Sequence, residues 1–105
     1  MNKINISFNI ALESLTAWIP YIQGTFAKEM LESPLIDQVE FMRVKAEAQE
    51  GYRLFAFQLT SVKEINLKQW QRKIWPEYRA EFSKQFGEDK ILTHLSYLET
   101  IDLHL

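Results

Sequence analysis

Lys3-Ile4-Asn5-Ile6-Ser7-Phe8-Asn9-Ile10 alternates apolar and polar residues without a break. A period of two places Ile4, Ile6, Phe8 and Ile10 on one face and Lys3, Asn5, Ser7 and Asn9 on the other. That is a strand with one face buried and a polar outer face. The same alternation argues against a signal peptide, which needs a continuous apolar run.

From about Ser14 the period lengthens. Leu15, Trp18, Ile19, Ile22, Phe26 and Met30 recur every three or four residues and line one side of a helix. Ser14 or Thr16 can cap its start. Pro20 sits near the end of the first turn if Thr16 is the cap and kinks the helix otherwise. Ser33-Pro34 ends it, because the residue before a proline avoids the α region. Residues 36–46 read as a second strand, with Val39 and Phe41 on one face and Met42 and Val44 on the other. A turn at 47–51 leads to a third strand over 52–60. Phe55, Phe57 and Leu59 share one face there, and Tyr52, Leu54 and Ala56 the other. A second helical pattern spans about 63–86, with Leu67, Trp70, Ile74, Tyr78, Phe82 and Phe86 as its seam. Pro76 in its middle predicts a kink, or two pieces meeting at Trp75-Pro76. Gly87 is a C-terminal stop. Residues 90–101 read as a last strand.

The order is β-α-β-β-α-β, an α+β chain of the ferredoxin-like, split βαβ kind. The expectation is one domain over 1–105: a four-stranded antiparallel sheet, strands 1 and 3 central, both helices on one face, the second helix kinked at Pro76. The 105 residues and 12.5 kDa suit one domain. The other face of the sheet is then left to solvent or to a partner. It would carry Ser7, Tyr52, Leu54 and Ala56, an apolar patch of the kind that marks interfaces. A second copy across a two-fold axis is the simplest partner.

The stretch Trp75-Pro-Glu-Tyr-Arg-Ala-Glu-Phe-Ser-Lys-Gln-Phe-Gly87, followed by Lys90 and a closing strand, resembles a small uncharacterised bacterial domain-of-unknown-function family. The first strand, the Trp18 helix and the long hairpin match that family in order and spacing. A His-Ile-Pro triplet often follows the tryptophan helix there; this chain has Phe26-Ala27-Lys28 instead. The resemblance implies a ferredoxin-like or dimeric α/β-barrel fold and no established activity.

Chemistry-bearing patterns are sparse. With no cysteine, disulfide scaffolds, cysteine zinc sites and thiol nucleophiles are excluded, and a reducing, cytoplasmic setting is expected. Neither a metal site nor a cofactor motif is legible, and no constellation reads as catalytic. Net charge −2 argues against wholesale nucleic-acid binding, and no apolar run is long enough to span a membrane. Gly51-Tyr-Arg-Leu-Phe-Ala-Phe57 sits where RNA-recognition motifs of this topology keep stacking aromatics, but Phe55 and Phe57 would point inward. Over 63–84, six Lys/Arg against three Glu interleave with Trp70 and Trp75; an amphipathic helix with a solvated basic flank accounts for this spacing. Glu13, Glu29, Glu32, Glu77 and Glu81 read as helix-surface carboxylates.

The leading expectation is therefore a homodimerising interaction or structural module. The alternative is a small-molecule-binding protein or cofactor-free enzyme of the dimeric α/β-barrel kind, with a pocket between sheet and helices. Its polar candidates are Asn5, Asn9, Tyr52, Gln58 and His94, with His94 as a general base. His104, in the tail, is expected to be unordered.

Overall fold

A computed structural model describes residues 1–103; His104 lies outside the described residues. The elements are β1 (Asn2–Ala11), α1 (Leu15–Tyr21), α2 (Ala27–Glu32), β2 (Gln38–Arg43), β3 (Tyr52–Ser61), α3 (Glu64–Lys73), α4 (Trp75–Phe86) and β4 (Ile91–Glu99). The strands form one antiparallel sheet in the order β2-β3-β1-β4, so β1 and β3 are central. This is the expected ferredoxin-like arrangement, with both helical stretches on one face.

The covered face is built from the alternation in β1. Ile4, Ile6, Phe8 and Ile10 are fully buried, and Phe55, Phe57 and Leu59 of β3 lie beside them. Trp18, Ile22, Phe26 and Met30 descend on them at four-residue intervals from the first helical stretch. Phe8 joins the two helical arms: its ring lies 5.1 Å from Trp18, 5.6 Å from Phe82 and 6.4 Å from Trp75. Each of these large side chains contributes about 1.5–3 kcal/mol by leaving water. Trp70 Nε1 donates to Met30 Sδ at 3.1 Å and ties α3 to α2 across the core.

Both prolines of the helices are handled locally. The first stretch opens with a 3₁₀ turn at Leu12–Ser14, so Pro20 falls inside α1 and not in a first turn. It has no N–H to give the carbonyl four residues back. The chain widens into a π-helical turn over Ile22–Phe26 immediately afterwards, then resumes as α2. In the second stretch the pieces meet at Ile74, and Pro76 occupies the first turn of α4. A proline costs nothing there, because the first N–H groups of a helix have no intrahelical acceptor. Of the two expectations, a kink or two pieces meeting at Trp75-Pro76, the structure has two helices, with the junction at Ile74 and no kink at Pro76. Gly87 ends α4 at φ +101, a conformation that favours glycine, with its N–H on the Ser83 carbonyl at 2.9 Å.

Strand bounds also tighten. β2 covers 38–43, shorter than the 36–46 expected, and β4 ends at Glu99. Asp37, just before β2, accepts the Val62 N–H on its Oδ2 at 2.8 Å and ties the start of one strand to the end of the next.

Candidate functional site

The face of the sheet away from the helices is uncovered, and strand register orders it into rows. Glu40, Gln58, Asn5 and Ser96 form one row across β2, β3, β1 and β4. Met42, Ala56, Ser7 and His94 form the next. Leu54, Asn9 and Leu92 form a third, with Val44 alongside through its N–H on the Leu54 carbonyl at 3.1 Å. In these rows the central strands carry no charged residue; Glu40 stands at the β2 rim.

Every residue named for the interface or for the pocket falls on or beside this face. Asn5, Ser7, Asn9, Leu54, Ala56 and Gln58 cluster on the two central strands. Asn5 Nδ2 lies 3.4 Å from Ser7 Oγ. His94 is exposed opposite Ser7 and makes no side-chain hydrogen bond or ion pair among the described residues. Nothing there orients it as a base. Tyr52 sits at the margin: its hydroxyl donates to the Asp89 carbonyl at 2.7 Å and fastens the hairpin to the turn before β4. Asn9 Oδ1 is the anomaly, buried between leucines without a donor among the described residues.

These positions correct one expectation. A pocket drawing on Asn5, Asn9, Gln58 and His94 cannot lie between sheet and helices, because all four project from the opposite face. The space under the helices is filled by Trp18, Trp70, Phe8, Phe26, Phe57 and Phe82, each almost fully buried. Among the described residues, no group of three or more His, Asp or Glu is placed to hold a metal.

Two features of the helical side were not legible from spacing. Trp75 is only 5% exposed and stacks on Trp70, so the interleaved basic and aromatic run leaves only its bases at the surface. Arg79 and Lys84 flank an open cavity of about 590 Å³ beside α4. Glu29, Glu77 and Glu81 gather with Tyr21 and Tyr78 around a second cavity, of about 390 Å³. The Tyr78 hydroxyl donates to Glu29 Oε2. Burial first, then that carboxylate, holds the Tyr78 phenol well above its ordinary range. Burial also raises Tyr21, with Glu29 and Glu81 adding to it. The i, i+4 spacing of Glu77 and Glu81 was the only available signal, and it cannot show that Glu29 arrives from another helix.

A family model described as "Domain of unknown function (DUF4286)" matches residues 1–101. No curated protein matches the chain. Among solved structures, HapK from Hahella chejuensis is similar with a TM-score of 0.70 at 10% identity, over 100% of this chain and 97% of that one. An ethyl tert-butyl ether d (EthD) family protein from Bacillus halodurans C-125 is similar with a TM-score of 0.63 at 14% identity, over 96% of this chain and 100% of that one. At these identities the likeness is one of fold. No helix among the described residues is long and apolar enough to cross a membrane.

Proposed function

We propose, for a chain that belongs to the DUF4286 family of unknown function, that it is a homodimerising module whose two copies stack through the uncovered faces of their sheets. The observation that carries this is the composition of that face. Met42 and Leu92 on it are 37% and 42% exposed, with Leu54 and Ala56 between them and no charge on the central strands in those rows; Leu98, 44% exposed, lies beside Lys3 at the end of β1. Depletion of charge at the centre with polar groups at the rim is the pattern of an interface.

The size of the face agrees. Four strands about 4.8 Å apart and some nine residues long present roughly 500–600 Å² each. Two such faces bury about 1,100 Å², enough for a specific contact. The pairing is isologous: each copy offers the same patch to the other. Leu54→Asp places a charge at the centre of the contact without touching the helix-covered core. It is expected to halve the mass of the assembly in native mass spectrometry. An unchanged mass overturns the reading.

Ligand binding is the second reading, and the polar ladder of Asn5, Ser7, Asn9, Gln58 and His94 favours it. In stacked sheets about 10 Å apart these side chains line the intervening space. A reproducible mass adduct, lost in Leu54→Asp, is the expected sign of such a ligand.

A further inference from the structure

The connection between β2 and β3 is longer than a hairpin needs. Residues 44–51 join the two strands, where most hairpins use about two to five residues. A long loop held at the end of a rigid sheet is a common place for a binding site.

Three cations stand at the base of this loop. Arg43 ends β2 opposite Phe55, and the Val44 N–H on the Leu54 carbonyl at 3.1 Å continues that register. The continuation carries Lys45 to the position opposite Arg53, with Arg43 a diagonal step away. Like charges opposite each other on paired strands are destabilising. No acid within the chain relieves them. Arg43 and Lys45 make no side-chain hydrogen bond or ion pair among the described residues. Arg53 commits only Nη1, which donates to the Tyr52 carbonyl at 3.0 Å. The remaining donors of its guanidinium are free for another acceptor.

All three cations line one open cavity of about 620 Å³, a volume of small-molecule size. Glu47 lines it too, so three positive charges less one negative leave a net +2. Val44 and Leu54 add apolar surface beside the charges.

We propose that the β2–β3 hairpin binds a small phosphate monoester, its phosphate on Arg43, Lys45 and Arg53 and its organic part against Val44 and Leu54. A phosphate monoester carries close to two negative charges at neutral pH, which matches the net charge of the cavity. Each guanidinium can give a phosphate two parallel N–H···O bonds, and the ammonium adds a point charge. The bound dianion replaces the repulsion between Lys45 and Arg53 with attraction to a shared partner. The site is formed within one chain, so it does not need the stacked faces.

Phenyl phosphate is the probe, and benzenesulfonate, the same ring with a single charge, is its control. Each is titrated into isotope-labelled protein at about 0.15 M sodium chloride, where distant surface charges are screened. Phenyl phosphate is expected to give saturable amide shifts centred on residues 43–48 and 53–54, the hairpin positions that line the cavity. Benzenesulfonate is expected to bind about tenfold more weakly, having lost one charge. Arg43→Gln and Arg53→Gln are each expected to weaken phenyl phosphate by about tenfold or more, through the lost charge-assisted bonds. Glu47→Gln is expected to strengthen it about threefold, because it removes the one repelling charge. These side chains are exposed, so the variants keep the fold. Thermal unfolding gives a second reading: phenyl phosphate at about ten times its Kd raises the midpoint of the unaltered protein and not, at the same concentration, that of the double arginine variant. Equal affinity for the two probes, shifts spread over the whole chain, or unchanged binding in both arginine variants overturns the proposal.

Discussion

Trp70 and Trp75 stack across the junction at Ile74, ring centroids 5.7 Å apart and planes 27° from parallel. Five residues apart in sequence, they would not share a face in an unbroken helix. The break between α3 and α4 brings them together, and Trp75 reaches on to Phe8 and Phe82. Trp75→Ala is therefore expected to cost about 3–5 kcal/mol, as for other buried aromatics cut to alanine. Trp75→Phe, which keeps a ring in the slot, is expected to cost clearly less. Urea unfolding of the three proteins gives the comparison. Equal losses in the two variants would mean that the ring in that slot holds nothing together.

That junction also marks where the sequence stops being informative. Ile4, Ile6, Phe8 and Ile10 declare their strand because a half-buried strand imposes a period of two on adjacent residues. Leu67, Trp70, Ile74, Tyr78, Phe82 and Phe86 declare their seam for the equivalent reason. Pro76 is ambiguous, because the same residue kinks a helix interior and begins a helix at no cost. Which it does depends on whether Ile74 leaves the helix, and packing of Trp75 into the core decides that. Likewise the π turn after Pro20 answers a missing donor that spacing alone cannot locate. Periodicity puts Asn5, Ser7, Asn9, Leu54, Ala56 and Gln58 on the uncovered face, yet the pocket expected to draw on Asn5, Asn9 and Gln58 is assigned to the opposite side of the sheet. Only strand register could show that His94 stands opposite Ser7 and that Asn9 lies between leucines.

Two glycines are expected to respond oppositely to alanine. Gly24 lies in the π-helical turn, and an added methyl would meet nothing within 4 Å. Gly24→Ala removes unfolded-chain entropy and is expected to stabilise by about 0.5–1 kcal/mol. Gly87 has φ +101, and a Cβ there would come within 3.2 Å of Lys90 Cγ. Gly87→Ala is expected to destabilise by about 1–2 kcal/mol. Thermal unfolding of both, scanned side by side, reads the sign directly.

Tyr78 and Tyr21 predict an alkaline weakness. Both phenols are held above their ordinary range, chiefly by burial and then by the neighbouring glutamates. In the unfolded chain they lose their protons near pH 10. Between that value and the raised folded one, the unfolded state binds fewer protons, so stability falls as pH rises. The contribution is complete below pH 10 and is lost above it. Tyr78→Phe is expected to flatten this decline, measured as the urea midpoint from pH 8 to 11. An unchanged slope would remove Tyr78 as its source.

The surface pair of Lys90 and Glu13, at 2.5 Å, is expected to matter little despite its closeness. The Lys90 hydrogen bond lowers the Glu13 carboxyl below its ordinary range, and the same bond raises Lys90. The Glu13 contribution is present above the unfolded carboxylate range and disappears as pH falls through the lowered value. The Lys90 contribution is present below the unfolded lysine range and disappears as pH rises through the raised one. Both groups are solvent-exposed, where salt screens the attraction. Glu13→Gln should therefore shift the unfolding midpoint only at low salt, and the difference should vanish near 0.5 M sodium chloride, where the screening length is only about 4 Å.

Asn9 offers the sharpest contrast between a single chain and an assembly. Its Oδ1 is buried beside Leu54 and Leu92 with no donor among the described residues. A buried acceptor left unmet costs about 1–3 kcal/mol, and an apolar side chain of similar size removes that cost. Asparagine is also a poor strand residue, whereas leucine tolerates a central strand. Asn9→Leu is thus expected to raise the unfolding free energy at a protein concentration low enough to keep copies apart. If the uncovered faces stack as proposed, a second copy can bring a donor to Oδ1, and the gain at high concentration is expected to shrink or reverse. Denaturant melts of the two proteins at low and high concentration separate the two effects. The same gain at both concentrations would show that Asn9 meets nothing on a second copy.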